Sequence, residues 1–273
     1  MGDAAVPFKA PAKGTRPEGV ENEADASRKV REMFTQIAPR YDLLNHLLSL
    51  HLDRLWRKRV ARHLRTILEK PEAAVLDLCC GTGDLSFELA RAGQARVIGA
   101  DFAHPMLLRA NEKSASQLNP SSNGAPRILP FLEADALRLP FADQSFDLVT
   151  TAFGFRNLAN YESGLREIHR VLRPGGTIAI LEFTEPPPGF LGATYRWYFR
   201  EVLSRIGGLI SGHYAAYTYL PKSVSRFFLP PELASLMQQV GYASINFRLW
   251  TFATVALHTA QRPSTPVHPS ASI

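Results

Sequence analysis

The 273-residue sequence predicts an α/β protein whose central sheet has seven strands and carries an antiparallel hairpin at one edge. After Pro71, short apolar runs alternate with amphipathic helical stretches, a pattern typical of a parallel sheet covered by helices on both faces. The last two apolar runs are joined by only a few residues, too few for a crossover helix. We therefore expect those two strands to pair antiparallel.

Both ends of the chain, residues 1–26 and 263–273, are predicted to be disordered tails because they contain few large apolar residues. The residues between them, 27–262, are predicted to form one domain. No apolar run reaches the roughly 18 residues of a membrane-spanning helix, and the first tail lacks the apolar core of a signal peptide. The two cysteines of the chain, Cys79 and Cys80, are adjacent and make a poor structural disulfide, so a reducing cytoplasm is expected.

Residues 27–70 are predicted to be helical, with a break at Pro39. Leucines and other apolar residues recur there at three- and four-residue steps, which places one apolar stripe on a helix. Basic residues occupy much of the remaining helical surface.

Five apolar runs of the central region are predicted strands: Ala74–Cys79, Arg96–Ala100, Ile128–Ala134, Phe146–Ala152 and Thr177–Phe183. Most of them are separated by the predicted helices Asp84–Ala92, Pro105–Gln117 and Tyr161–Leu172. A further helix, Pro231–Val240, leads to the hairpin strands Ser244–Leu249 and Thr254–Thr259.

An insertion rich in aromatic and basic residues, 190–229, follows the fifth predicted strand. Open α/β sheets bind ligands beyond the carboxyl ends of their strands, which is where this insertion begins. We therefore interpret it as a lid over the site. The alternative is a pair of extra helices packed on the core.

Charge is unevenly distributed along the chain, whose formal net charge is +6. Residues 27–70 carry net +7 and residues 190–229 net +4, whereas the block between them, 71–189, carries net −4. Two basic segments flanking an acidic core suggest an anionic partner outside that core, either nucleic acid or a membrane surface.

A glycine turn after the first predicted strand predicts a cofactor site, with Gly81, Thr82 and Gly83 close to the ligand. Asp101 follows Gly81 at the spacing of an acid that binds ribose hydroxyls. A dinucleotide would bring phosphate to the start of the next helix, where Asp84 would repel it. S-adenosylmethionine carries a sulfonium and an ammonium instead, which suit Asp77 and Asp84, although Asp84 also fits a helix cap.

A third acid, Asp135, follows the next predicted strand and is expected to accept the adenine amino group, while the backbone of Ala136 meets a ring nitrogen. Acids at three consecutive strand ends favour an adenosyl ligand. The eight histidines are scattered, with no two at metal-ligand spacing beside Cys, Asp or Glu, so no metal site is predicted.

These motifs resemble those of class I S-adenosylmethionine-dependent methyltransferases, which have a Rossmann-like sheet. The generic motifs are Val75–Leu85, Gly99–Asp101, Ala134–Ala136 and Arg170–Gly176. Within that superfamily the chain is similar, from about Ser27 to Arg262, to the C-methyltransferases of menaquinone and ubiquinone biosynthesis. The narrower motifs are Phe34–Asn45, Ser49–Trp56, Phe153–Leu158, Leu181–Phe183, Tyr219–Ser223 and Val255–His258.

The resemblance implies C-methylation of a polyprenylated quinol ring, most simply of demethylmenaquinol to menaquinol. It implies catalytic roles for Arg156 and Asn157, which would stabilise and orient a developing phenolate, and places Tyr41 and Asp42 over the same cleft. Without the resemblance, Tyr41 would be a half-buried ring and Asp42 a residue at a helix start.

Two other substrates stay open at this point. A methoxybenzoquinol of ubiquinone biosynthesis is consistent with the same motifs. RNA is suggested by the basic segments, but no RNA-binding module is recognisable, so no nucleic-acid partner is expected. The aromatic and basic flanking segments favour peripheral contact with the cytoplasmic face of an anionic membrane. A homo-oligomer is neither indicated nor excluded.

Overall fold

Seven strands form the central sheet in this computed structural model, which describes residues 13–116, 130–185, 189 and 214–264. The strands are β1 (Ala74–Leu78), β2 (Arg96–Asp101), β3 (Phe131–Glu133), β4 (Phe146–Ala152), β5 (Leu172–Phe183), β6 (Ala243–Trp250) and β7 (Val255–Gln261). Their order in the sheet is β3-β2-β1-β4-β5-β7-β6. β1 to β5 run parallel, and β7 pairs antiparallel with both β5 and β6. The predicted sheet and edge hairpin are confirmed.

The strand order places a ligand crevice between β1 and β4. From β1 the chain first moves outward through β2 to β3, and then returns to the other side of β1 to form β4 and β5. The loops that leave β1 and β4 therefore diverge in opposite directions. In open α/β sheets this divergence opens a crevice beyond the carboxyl ends of the two strands.

Helices cover both faces of the sheet. They are α1 (Glu23–Ile37), α2 (Tyr41–Leu48), α3 (Leu52–His63), α4 (Arg65–Leu68), α5 (Asp84–Arg91), α6 (His104–Ser116), α7 (Tyr161–Val171), α8 (Tyr214–Arg226) and α9 (Pro230–Val240). Short 3-10 turns occupy Ala38–Arg40 and Phe155–Asn157.

The core is divided by the sheet into two apolar layers. Leu165 and Leu233, from α7 and α9, pack with Leu76 on one face, whereas Trp56 and Val60 of α3 belong to the cluster that includes Val75 on the other. Neighbouring residues of β1 thus enter opposite layers, as the period of a strand requires. α3 buries part of the predicted apolar stripe, including Trp56 and Val60, whereas Leu55 of the same stripe is exposed.

The predicted N-terminal tail ends earlier than expected. α1 begins at Glu23, where the Asn22 side chain caps it by accepting the Asp25 N–H at 2.9 Å. Before it, the Thr15 N–H donates to the Leu158 carbonyl at 2.8 Å, and Thr15 is buried. The prediction of disorder is therefore wrong for residues 13–26. Backbone hydrogen bonds hold this polar segment, and amino-acid composition does not reveal such bonds.

Two further boundaries differ from the predictions. β5 starts at Leu172 rather than Thr177, since Leu172 pairs with Phe146 ahead of an irregular step in the ladder. Of the predicted lid, residues 190–213 lie outside the described residues, and the remainder contains α8. Among the described helices, none combines the length and the apolar character needed to cross a bilayer.

Candidate active site

A cleft opens at the carboxyl ends of β1, β2 and β4, where the strand order predicts it. Six residues predicted to act in binding or catalysis line this cleft: Tyr41, Gly81, Asp101, Asp135, Ala136 and Asn157. The other five predicted residues, Asp42, Asp77, Thr82, Gly83 and Arg156, do not line it.

The backbone is strained where β1 and β4 enter the cleft. Cys79 and Phe153 follow these strands and adopt left-handed φ values of 55° and 60°, which are costly for residues with a side chain. The two loops also pack without a gap, since a Cβ added at Gly154 would lie 2.3 Å from Cys79 Cβ. Strain held in place by close packing is typical of functional sites.

Asp101 organises the glycine turn. Its Oδ2 accepts the Gly81 N–H at 2.9 Å, and its Oδ1 accepts the Ala103 N–H at 2.8 Å. Gly81 has a φ of +55°, which favours glycine. A carboxylate has about four acceptor sites, so two remain for the hydroxyls of a ribose in the cleft. Burial raises the pKa of Asp101, and the two N–H bonds oppose that rise.

The end of β3 supplies a second acidic position. Asp135 Oδ1 accepts the Leu137 N–H at 2.9 Å, which orients the carboxylate in the cleft wall. Phe102 and Met106 line the cleft as apolar surfaces. The cleft thus combines carboxylates, which accept hydrogen bonds and carry negative charge, with apolar walls. This combination suits an uncharged adenosine attached to a cationic sulfonium, so the residues present fit S-adenosylmethionine.

Asp77 lies beneath the cleft, contrary to the prediction that it contacts the cofactor. It is 1% exposed, and its two oxygens accept hydrogen bonds from Ser86 Oγ at 2.5 Å and Thr150 Oγ1 at 2.9 Å. Burial raises the pKa of Asp77 to about 6. These contacts give Asp77 the structural role of tying β1 to β4 and α5.

The polar side chains of the glycine turn face the helices that flank it. The Thr82 hydroxyl donates to Asp42 Oδ1 at 2.5 Å and accepts from Lys113 Nζ at 2.9 Å. Lys113 also pairs with Asp42 at 2.6 Å and with Asp84 at 2.8 Å. Asp42, which the resemblance implies to be catalytic, therefore anchors α2 to the glycine turn in this structure.

Gly83 is required for packing and for backbone shape. Its φ is +84°, and a Cβ there would lie 2.8 Å from the Phe131 ring. Like Thr82, it shapes the turn without lining the cleft.

Tyr41 contributes its ring to the cleft from the start of α2. A Cβ at Gly81 would be 3.7 Å from the Tyr41 ring, so this ring covers the glycine turn. Burial raises the pKa of Tyr41, while a hydrogen bond with Asn45 and the positive charges of Arg57 and Arg156 act in the opposite direction. The Tyr41 hydroxyl thus stays protonated at neutral pH.

Arg156 lies in a buried ion pair directly behind the cleft wall. Its Nη1 donates to Glu182 Oε2 at 2.9 Å and to the Phe153 carbonyl, and its backbone N–H donates to Glu182 Oε1 at 3.0 Å. Burial opposes the charge of Arg156, but the Glu182 carboxylate raises its pKa overall. Sequence reasoning noted the Leu181–Phe183 motif but assigned no role to Glu182, because an acid inside an apolar strand does not reveal its partner.

The Asn157 side chain is held by a residue that is far away in sequence. Its Oδ1 accepts the Tyr219 hydroxyl of α8 at 3.0 Å, and the same hydroxyl lies 2.8 Å from Thr15 Oγ1. In the sequence, Tyr219 stands out only as part of a family motif, and Thr15 falls in a predicted disordered tail. Nothing in the local sequence pattern signals this contact.

One group of potential metal ligands occurs among the described residues. Ligand atoms of His46, Asp53 and Asp84 lie within 4.8 Å of one another. The Arg57 guanidinium contacts Asp53 and lies 3.5 Å from Asp84 Oδ2, so a fixed cation already neutralises these acids. The group is an ion-pair network that joins α2, α3 and α5.

Comparison with known proteins identifies the family. Residues 22–262 match the model of the ubiE/COQ5 methyltransferase family. The chain belongs to this family. It is 50% identical over 232 residues to a demethylmenaquinone methyltransferase of Thermus thermophilus, covering 85% of this chain and 100% of the relative. It is 47% identical over 240 residues to one of Deinococcus radiodurans, covering 87% and 94% of the two chains.

Membership of this methyltransferase family makes S-adenosylmethionine the methyl donor and the chain an S-adenosylmethionine-dependent methyltransferase. A relative in Geobacter sulfurreducens, 39% identical over 240 residues, is named ubiquinone/menaquinone biosynthesis C-methyltransferase UbiE, with 87% of this chain and 90% of the relative covered. Among solved structures, the [4+2]-cyclase SpnF matches with a TM-score of 0.63 at 17% identity, over 88% of this chain and 97% of that one. That similarity shows the fold alone.

Proposed function

We propose that this methyltransferase methylates a ring carbon of demethylmenaquinol and so produces menaquinol. The observation that carries the proposal is the 50% identity to the Thermus thermophilus demethylmenaquinone methyltransferase over the whole length of that relative. S-adenosylmethionine supplies an electrophilic methyl group on a sulfonium sulfur. The residues of the chain must orient the quinol and assist its proton transfers. One hydroxyl loses its proton before the carbon–sulfur bond breaks, the methylated carbon loses its hydrogen afterwards, and the oxygen is protonated again. The products are menaquinol, S-adenosylhomocysteine and one released proton.

The cofactor half of the cleft consists of Gly81, Asp101, Asp135 and Ala136. In this proposal Asp101 accepts the ribose hydroxyls with the lone pairs that Gly81 and Ala103 leave free. Asp135 and the Ala136 backbone face the adenine. This half binds the donor and determines the direction in which the methyl group points.

The acceptor half is proposed to consist of Tyr41, Arg156 and Asn157. Among the described residues, Arg156 Nε is buried and has no hydrogen-bond partner, which is costly unless a ligand oxygen fills the position. Because this atom is closed off from the cleft in the structure, the Arg156 side chain must shift on quinol binding before a quinol oxygen that has lost its proton can satisfy the donor. The Glu182 carboxylate neutralises much of the Arg156 charge. We therefore propose that Arg156 acts on the quinol oxygen mainly through a directed hydrogen bond and less through its electric field.

Asn157 and Tyr41 complete this half of the cleft. The Asn157 side chain is held by Tyr219, so it presents a fixed amide to the ring. The protonated Tyr41 hydroxyl is a second donor. Together these groups favour the phenolate form of the acceptor, in which the adjacent ring carbon is most nucleophilic.

The location of the reaction follows from the substrate. A polyprenyl tail is dissolved in the bilayer, so we propose that the protein works at the cytoplasmic face of a membrane as a peripheral enzyme. Whether it does so as a homo-oligomer is a question for measurement of its mass in solution.

A methyl-transfer assay tests the proposed function. The purified protein is incubated with methyl-labelled S-adenosylmethionine and, separately, a demethylmenaquinol with a truncated side chain, a methoxybenzoquinol and bulk RNA. We expect label in the naphthoquinol. Label in the benzoquinol alone would move the substrate to ubiquinone biosynthesis, and label in RNA alone would refute the proposal.

A further inference from the structure

Three large apolar side chains are exposed around the first turns of α3. Phe252, in the turn between β6 and β7, is 77% exposed, and Leu50, in the turn between α2 and α3, is 69% exposed. Leu55 of α3 is 40% exposed. Single exposed leucines are common, but two turn tips that both end in a large apolar side chain call for an explanation.

The backbone at both turn tips has a conformation that is unfavourable for large side chains. Leu50 has a φ of 52° and Phe252 a φ of 54°, in the left-handed region that favours Gly or Asn. A large apolar residue therefore costs stability at these turns and gains no buried contact in return. Such a residue fits a surface that becomes covered by a partner.

The two tips belong to one region of the molecule. Trp56 Nε1 donates to Thr251 Oγ1 at 2.8 Å, and the Arg59 guanidinium lies 5.9 Å from the centre of the Trp250 ring. α3 thus holds the β6–β7 turn, and Leu50 precedes α3 by two residues. The turn also lies at the cleft edge of the sheet, because Val255 pairs with Phe183 at the carboxyl end of β5.

Cations without partners occupy the exposed side of the same helix. Arg54, Lys58 and Arg62 recur every four residues, so they form a stripe along α3, and all three are exposed. No ion pair or hydrogen bond joins their side chains to any other part of the chain that the structure describes. This stripe leaves a positive surface beside the two apolar tips.

We infer that these six residues (Leu50, Arg54, Leu55, Lys58, Arg62 and Phe252), called the α3 surface, dock the protein on an anionic phospholipid bilayer. Cations attract the lipid phosphates, while exposed apolar side chains enter the interface between headgroups and acyl chains. RNA would pair with the cations but would leave the two aliphatic side chains exposed. The inference rests on the proposed function only in that a bilayer-dissolved substrate gives the docking a purpose.

Vesicle sedimentation of the full-length protein tests the α3 surface. We expect binding to vesicles of phosphatidylcholine mixed with phosphatidylglycerol, weak binding to phosphatidylcholine alone, and a loss of binding as salt rises. Equal binding to both vesicle types, or bulk RNA binding that persists when vesicles are in excess, would overturn the inference.

Two double variants separate the contributions of the apolar tips and the cations. L50N/F252N should lower the vesicle partition coefficient about tenfold or more, with an unchanged or higher melting temperature, since Asn tolerates the left-handed turns. K58Q/R62Q should lower the vesicle partition coefficient by a similar factor.

The controls are Leu108→Gln, which changes a 50% exposed leucine of α6, and R28Q/R166Q, which removes the same charge elsewhere. Variants that bind like the wild type, or controls that weaken binding equally, would refute the α3 surface.

Activity on the truncated demethylmenaquinol in vesicle-free buffer keeps the two proposals apart. Both double variants should retain wild-type turnover there, because none of their residues lies in the cleft. If the wild type is inactive on every quinol yet binds anionic vesicles, the substrate proposal fails while the docking surface stands. Wild-type activity without vesicle binding gives the opposite outcome.

Discussion

The two halves of the cleft are built in different ways. The cofactor half takes Gly81, Asp101 and Asp135 from consecutive strand ends, and backbone N–H groups of nearby residues orient its carboxylates. The acceptor half joins side chains from distant segments, in which Glu182 holds Arg156 and Tyr219 holds Asn157. The first half depends on the fold of the sheet, and the second depends on packing between elements that meet only in the folded chain.

This difference predicts that substitutions in the two halves have separable effects. Changes in the cofactor half should weaken donor binding. Changes to the residues that hold Arg156 and Asn157 in place should lower turnover or stability, while binding of S-adenosylmethionine is preserved.

Loss of the Glu182 charge should have the largest effect. Glu182→Gln leaves the Arg156 guanidinium buried without a counter-charge, which typically costs about 3–5 kcal/mol of unfolding free energy. We expect a fall of that size in urea melts and a fall in kcat of about 100-fold or more. Glu162→Gln is the control, because its exposed pair with Arg166 should contribute less than about 1 kcal/mol. A stable, active Glu182→Gln protein would show that the acceptor half does not depend on this pair.

Asp101→Asn should weaken donor binding with a smaller effect on stability. The amide retains a single acceptor oxygen, so it cannot accept both backbone N–H groups and the ribose hydroxyls. We expect a rise in the Kd for S-adenosylmethionine of about 10- to 100-fold by calorimetry, since hydrogen bonds to charged groups contribute about 1.5–3 kcal/mol. Asp77→Asn is the matched control. An equal rise in the Kd of that variant would show that Asp77 belongs to the cofactor site.

Asp77 itself should change how stability depends on pH. Its folded-state pKa of about 6 lies above the ordinary value of 3.8, so the folded protein loses stability as pH rises between about 4 and 6. Asp77→Asn removes this penalty and should raise the unfolding free energy at pH 7 by about 1–3 kcal/mol. The gain should vanish below pH 4. Denaturant melts across this range measure it, and an equal gain at every pH would show that ionisation of the buried carboxyl is not its cause.

Tyr219→Phe should have the smallest effect and the most specific one. It removes one hydroxyl from the Asn157 contact, so we expect a fall in kcat of about 5- to 10-fold, with the Kd for S-adenosylmethionine unchanged. Tyr242→Phe removes a buried hydroxyl that donates to the Leu165 carbonyl at 3.0 Å, away from the cleft, and should lower stability but not kcat. Equal kinetics in the two variants would remove Tyr219 from the acceptor half.

Local patterns were sufficient for the sheet and for most of the cofactor half. The apolar run Phe146–Ala152 is a strand with the same bounds as predicted, and the hairpin follows from the short connection between its strands. Gly81 and Asp101 come together because parallel neighbouring strands end at one edge. Asp77 was misplaced for a related reason, since period-2 alternation in a strand buried on both sides does not tell which acid reaches the cleft.

Chain order and residue type alone thus determined the fold class, the edge of the sheet at which the cleft opens and two of the acids that line it, Asp101 and Asp135. Only the tertiary structure decided that Asp42 pairs with Lys113, that Glu182 neutralises Arg156, and that Tyr219 bonds to both Thr15 and Asn157. The physical reason is the separation along the sequence over which each interaction acts. Strand and helix periodicity act over a few residues, whereas these ion pairs and hydrogen bonds join groups separated by tens to hundreds of residues, and their partners are selected by packing.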